Sequence, residues 1–134
     1  MSEILPPSLD DLQVLADQAF REIPTSLAAH VRGVAILIQD FPDHDVAREM
    51  ALDSPFDLLG LYSGVSLDHK SSGDTPDDLD RIFLYRRPIL DYWCETQEDL
   101  AHVVRHVLIH EIGHHFGLSD ADMEALESEA SDET

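Results

Sequence analysis

The residues of this chain best suited to chemistry lie in one run, His110-Glu111-Ile112-Gly113-His114-His115-Phe116-Gly117-Leu118-Ser119-Asp120. On an α-helix, residues i and i+4 sit one turn, ~6 Å, apart on nearly the same face, so the imidazoles of His110 and His114 can converge on one ion. Glu111 lies about 100° round the helix from His110, off axis for a ligand but well placed to touch a water beside the ion. It reads as a general base. Zinc accepts neutral imidazole nitrogen and carboxylate oxygen, and a catalytic site leaves its fourth position open to water, so one more protein ligand is expected. Gly117 can reverse the chain at the helix end in a left-handed conformation, which swings Asp120 back toward the histidines. The expected ligands of a single Zn2+ are therefore His110, His114 and Asp120, although iron, manganese or cobalt suit the same donors. Such an ion lowers the pKa of bound water and polarises a scissile carbonyl. Glu111 would take the water's proton and pass it to the leaving amine.

Other residues compete for roles here. His102, His106, His110 and His114 recur every four residues, so His106 could pair with His110 instead, but the sequence offers that pair no correctly placed glutamate or third ligand. His102 and His106 are read as a half-buried helix face, and His115 as packing beside the site. Tyr62, Tyr85 and Tyr92 are candidates to donate a hydrogen bond to an oxyanion. Asp91 and Asp99 could accept from ligand imidazoles, with solvation as the default. Cys94, the single cysteine, excludes an internal disulfide and is read as a packing residue.

Elements must position these groups. Ser8 can cap a helix over residues 9–22 with Leu9, Leu12, Leu15, Ala16, Ala19 and Phe20 as its apolar stripe, ended by Pro24. The continuous apolar run over 33–39 predicts a central strand buried on both faces. A short helix over 44–52 and a second strand over 58–65, loosened by Gly60 and Gly64, follow; glycine there would let another backbone approach. Residues 69–80 read as an exposed loop, the sequence leaving open whether 71–80 gate access, and 81–86 as a third strand. Pro88 starts a short helical turn through about Cys94. Thr96 resembles the N-cap of a helix that runs to about Phe116 and carries the motif, and a last helix begins near Ser119. The reading is α+β, with helices packed on a three- or four-stranded sheet.

At 134 residues the chain should form one domain over 1–134, with about 1–7 and 128–134 flexible. Its 28 acidic residues against eight basic ones give a formal charge of -20, a field that repels phosphate backbones and acidic membranes. Nucleic acid and membranes are disfavoured as partners, and a peptide or protein substrate, preferably basic, is favoured. Residues 1–7 lack a basic region followed by a long apolar run, and no apolar stretch is of membrane-spanning length, so a cytoplasmic protein is expected.

With these residues in view, the chain resembles the small bacterial zincin-like metallopeptidases, single-domain proteins with His-Glu-x-x-His-x-x-Gly-x-x-Asp near their C-termini. His110, Glu111, His114, Gly117 and Asp120 match that pattern. The resemblance continues upstream through Leu59-Gly60-Leu61-Tyr62-Ser63-Gly64 and Ile82-Phe83-Leu84-Tyr85-Arg86-Arg87-Pro88. It implies a minimal zincin fold, a mixed sheet beside the metal-bearing helix, with zinc on the two histidines and the aspartate and with glutamate as base. The motif is also similar to that of metzincins, which continue into a methionine-containing turn; Met123 is not taken as its equivalent. The leading expectation is a zinc metallopeptidase. The alternative is a metal-binding interaction or regulatory module with little or partner-dependent peptidase activity. A metal-dependent ribonuclease is a third reading, opposed by Glu111, Asp120 and the charge.

Overall fold

The structure is a computed structural model that describes residues 5–29, 31, 33–64 and 80–132. Its first helix, α1 (Leu9–Glu22), begins as the sequence predicts: the Ser8 hydroxyl accepts from the Asp11 N–H and the Asp11 carboxylate accepts from the Ser8 N–H. Leu12, Ala16 and Ala19 are buried, whereas Leu9 at the helix start is exposed. Pro24 ends α1 and opens a single turn, α2 (Thr25–Ala28).

Three strands follow: β1 (Ala35–Gln39), β2 (Gly60–Ser63) and β3 (Arg81–Tyr85). Their order is β1-β3-β2, with β1 parallel and β2 antiparallel to β3. The expectation of a doubly buried central strand at 33–39 is corrected. β1 is an edge strand whose residues are half-buried or exposed, with Leu37 38% exposed. The central strand is β3, whose Ile82 and Leu84 are fully buried. An uninterrupted apolar run cannot by itself distinguish a central strand from an edge strand covered on one face. The predicted loop over 69–80, with the open question of gating by 71–80, and the predicted strand end at Val65 lie outside the described residues, except for Asp80.

Between β1 and β2 come α3 (His44–Glu49), capped by Asp43, and a 3-10 turn over Pro55–Asp57. Helix α4 (Arg86–Thr96) leaves β3 directly. It is a full helix rather than a turn from Pro88, because Pro88 falls in its first turn, where no backbone N–H is needed. Thr96 ends α4 instead of capping the next helix; Gln97 reverses the chain at φ 59°, and Asp99 is the N-cap of α5 (Leu100–His115). Helix α6 (Asp120–Asp132) closes the chain and stays helical through Asp132.

Helix α5 is the fold's axis. Val103, Val104, Val107, Leu108, Ile109 and Ile112 are buried around more than one face, because α1, the sheet and α6 each cover part of it. The described residues contain no helix long and apolar enough to cross a membrane.

Candidate metal centre

The motif begins on the last turns of α5 and ends on the first residue of α6, so the link between the helices sets its geometry. Gly117, at φ 74°, takes the predicted left-handed conformation. The Leu118 N–H donates to the Gly113 carbonyl at 2.9 Å and the Gly117 N–H to the His114 carbonyl at 3.2 Å, which satisfies two carbonyls left open at the helix end. Ser119 then opens α6: its hydroxyl accepts from the Asp122 N–H at 3.1 Å, and its own N–H donates to the Asp122 carboxylate at 3.2 Å.

Helix α6 folds back antiparallel on α5. Met123, fully buried, lies against Gly113, where any side chain would collide with its sulfur. Further along the same seam, Glu127 meets His106 and His110. Asp120, Met123 and Glu127 are spaced i, i+3, i+7 and so share one face of α6.

His110 sits in the middle of this seam. Its ring centroid is 4.1 Å from that of His106 and 5.8 Å from that of His114, the latter ring nearly perpendicular at 83°. His110 Nε2 lies 3.6 Å from Glu127 Oε1, and both atoms are buried without a hydrogen-bond partner. His106 Nδ1 presses against the same Glu127 oxygen, but not in an alignment that makes a hydrogen bond. Burial and the neighbouring His106 hold His110 below the ordinary imidazole value, while the charges of Glu127 and Asp120 pull it upward. His110 is thus a neutral imidazole at neutral pH, the form that can ligate. His114 and Asp120, by contrast, are exposed at the open end of the seam.

Glu111 points to the other side of α5, toward β2. There Gly60 leaves room for the helix: a Cβ at that position would lie 3.0 Å from Val107 and 3.1 Å from the Glu111 side chain. The Tyr85 N–H bonds to the Leu59 carbonyl, so in the antiparallel ladder Gly60 and Tyr62 occupy non-hydrogen-bonded positions and direct their backbone groups away from β3. The Tyr62 N–H donates to the Glu111 carboxylate. Desolvation outweighs that bond and pushes the Glu111 pKa up to about 7. Glu111, His114, His115, Tyr62, Leu58, Leu61 and Met50 line one cleft of about 430 Å3.

The tyrosines divide. Tyr62 donates its hydroxyl to Asp80 at 2.8 Å and stacks on His115, with centroids 3.9 Å apart, so its phenol is engaged; burial and Asp80 raise its pKa. His115 packs beside the site as expected. Tyr85 is buried, its pKa pushed up to about 12 by burial and then by the charges of Asp43 and Glu111. Tyr92 is half-buried among the core side chains. Asp91 and Asp99 are exposed, the solvated default, and Cys94 is exposed on α4 rather than packed. One cleft is therefore lined by Glu111 and His114, while His110 and Glu127 meet in the seam on the other side of α5.

Sequence reasoning missed Glu127 and Asp80. Glu127 carried a usable signal, seven residues after Asp120 on a helix that must fold back along α5; Asp80 carried none, since its partner is fixed by strand register. Among the described residues, the donor atoms gathered within 4.8 Å of one another are those of His106, His110 and Glu127, two imidazoles a turn apart and a carboxylate from the facing helix, a chemistry that fits zinc; His114 and Asp120 are not part of that cluster.

The sequence profile of a zincin-like metallopeptidase family matches residues 31–130. A search of the curated proteins found no match.

Proposed function

The chain belongs to the zincin-like metallopeptidase family, and we propose that it hydrolyses peptide bonds with one zinc ion held by His110, His114 and Asp120 and with Glu111 as general base. Zinc, when bound, supplies Lewis acidity that polarises the scissile carbonyl and makes water more acidic.

The observation that carries this reading is Glu111: a carboxylate desolvated at the wall of a cleft, beside His114, with a proton affinity close to neutrality. Burial makes such a carboxylate a stronger base than an exposed one, suited to take a proton from water and return it to a leaving amine. The Tyr62 N–H holds the carboxylate in place on the sheet edge. Leu58, Leu61 and Met50 offer a peptide apolar walls in the cleft that Glu111 and His114 line. The chain's charge of -20 favours basic peptides on approach.

The test is a peptide-library digest with zinc-loaded protein, wild type beside Glu111→Gln, with zinc content measured on both. The proposal expects cleavage by wild type and a loss of ~10²- to 10⁴-fold in the variant with zinc retained. Equal biological activity of the two proteins would refute it and favour a metal-binding interaction module.

A further inference from the structure

His110 faces two carboxylates, not one. Along α6, Asp120 and Glu127 are seven residues, ~10 Å, apart, and along α5, His106 and His114 are eight residues, ~12 Å, apart on either side of His110. The helices run antiparallel, so Glu127 falls at His106 and Asp120 toward the His114 end. The charges of both carboxylates act on His110.

The seam thus repeats a motif: imidazole, shared imidazole, carboxylate. We propose that His106, His110 and Glu127 form a second ligand set for a divalent transition-metal ion of the zinc or cobalt type, which shares His110 with the peptidase set. The donor atoms of the three residues lie within 4.8 Å of one another. Ligands of tetrahedral zinc are ~3.4 Å apart, and His110 Nε2 lies 3.6 Å from Glu127 Oε1. Two features distinguish this cluster from a hydrogen-bonded one. His110 Nε2 is buried without a hydrogen-bond partner, and Glu127 Oε1, 3.6 Å from it, is buried with an ion-pair contact to His106 Nδ1 but no hydrogen bond. Buried polar atoms are costly to leave unsatisfied, and a cation bound between them satisfies all three at once.

One lone pair on His110 Nε2 cannot serve two ions. The sets are therefore alternatives: an ion held by His106 and Glu127 would be parked in the seam, on the far side of α5 from Glu111, and an ion held by His114 and Asp120 would have His114 as its ligand in the cleft wall. The parked position withholds the ion from the general base, so movement of one ion along the seam would set the fraction of active protein. This second half of the inference rests on the peptidase ligand set proposed above; the existence of the second set does not.

The experiment is calorimetric titration of the full chain with Co2+ and with Zn2+, paired with the cobalt visible spectrum and with circular dichroism to verify folding. His114→Gln with Asp120→Asn removes the peptidase set, and His106→Gln with Glu127→Gln removes the parked one. Both double variants are expected to bind one ion per chain with different cobalt spectra, and the quadruple variant to bind at least ~100-fold more weakly. Binding by the first double variant but not the second would keep the seam site and sink the peptidase ligand set. Binding by the second but not the first, in folded protein, would overturn the inference and leave the peptidase set standing. Loss of binding in both would mean a single site that needs all five residues, which also overturns it.

Discussion

Glu111→Gln should make the metal-free protein more stable at alkaline pH while it abolishes hydrolysis. Glu111 has its pKa raised from an ordinary 4.5 to about 7, with burial as the main cause. The folded state thus binds this proton more tightly than the unfolded state does. Stability from this group is complete below pH 4.5, falls as pH rises through 7, and is level above that. At about 1.4 kcal/mol per pKa unit the full effect is ~3 kcal/mol, which partial hydration of the half-buried carboxyl reduces to roughly 2 kcal/mol. Gln is nearly isosteric, can still accept from the Tyr62 N–H, and carries no charge to desolvate. The assay is urea unfolding of both proteins in EDTA from pH 5 to 8.5, since a cation near the carboxylate would pull its pKa back down. Near pH 5 the curves should nearly coincide; at pH 8 the variant should be more stable by roughly 2 kcal/mol, a melting shift of ~6 °C for a domain of this size. Parallel pH profiles, or a variant less stable than wild type at pH 8, would show that Glu111 is hydrated and would remove the basis for a base poised near neutrality.

Three further outcomes follow from the packing. Gly117→Ala should cost ~1–2 kcal/mol by thermal unfolding, purely from the positive φ, since nothing lies within 4 Å of the added methyl; an unchanged melting temperature would contradict the helix-end geometry. Gly113→Val should push Met123 and α6 off α5, costing ~1–3 kcal/mol and weakening zinc uptake together, as read by calorimetry and metal titration; full zinc affinity with normal stability would show that the seam is not rigid. Tyr62→Phe removes the 2.8 Å bond to Asp80 but leaves the ring on His115, so a loss of ~1 kcal/mol in urea unfolding is expected, with no loss if Asp80 is fully hydrated.

What the sequence disclosed was local. Gly117 could be read because a left-handed residue at a helix end is a short-range demand, and Ser8 because a capping box closes within three residues. The misreadings concern partners distant in sequence. A run such as 33–39 looks the same whether its strand is central or at an edge, and only the docking of β3 between β1 and β2 decided it. At the Thr96 to Asp99 junction, two helix ends compete for the same four residues, and the left-handed turn at Gln97 assigns Thr96 to the first. Glu127 shows the same limit at the site itself. A motif defines spacings along one stretch of chain, and it ends at Asp120.

The antiparallel return of α6 extends that motif across space. Once Gly113 admits Met123, the helices approach closely enough that Glu127, one turn further along the same α6 face, meets His106 and His110 of α5. Asp120 and Glu127 are both on that face, and α5 presents histidines at 106, 110 and 114. A single carboxylate on that face would suit one ligand set, whereas the two proposed sets, one ending in Asp120 and one in Glu127, would overlap at His110. On the proposed sets, the close packing at Gly113 would govern metal affinity as well as how tightly the helices hold. A substitution there should alter metal affinity before it unfolds the chain.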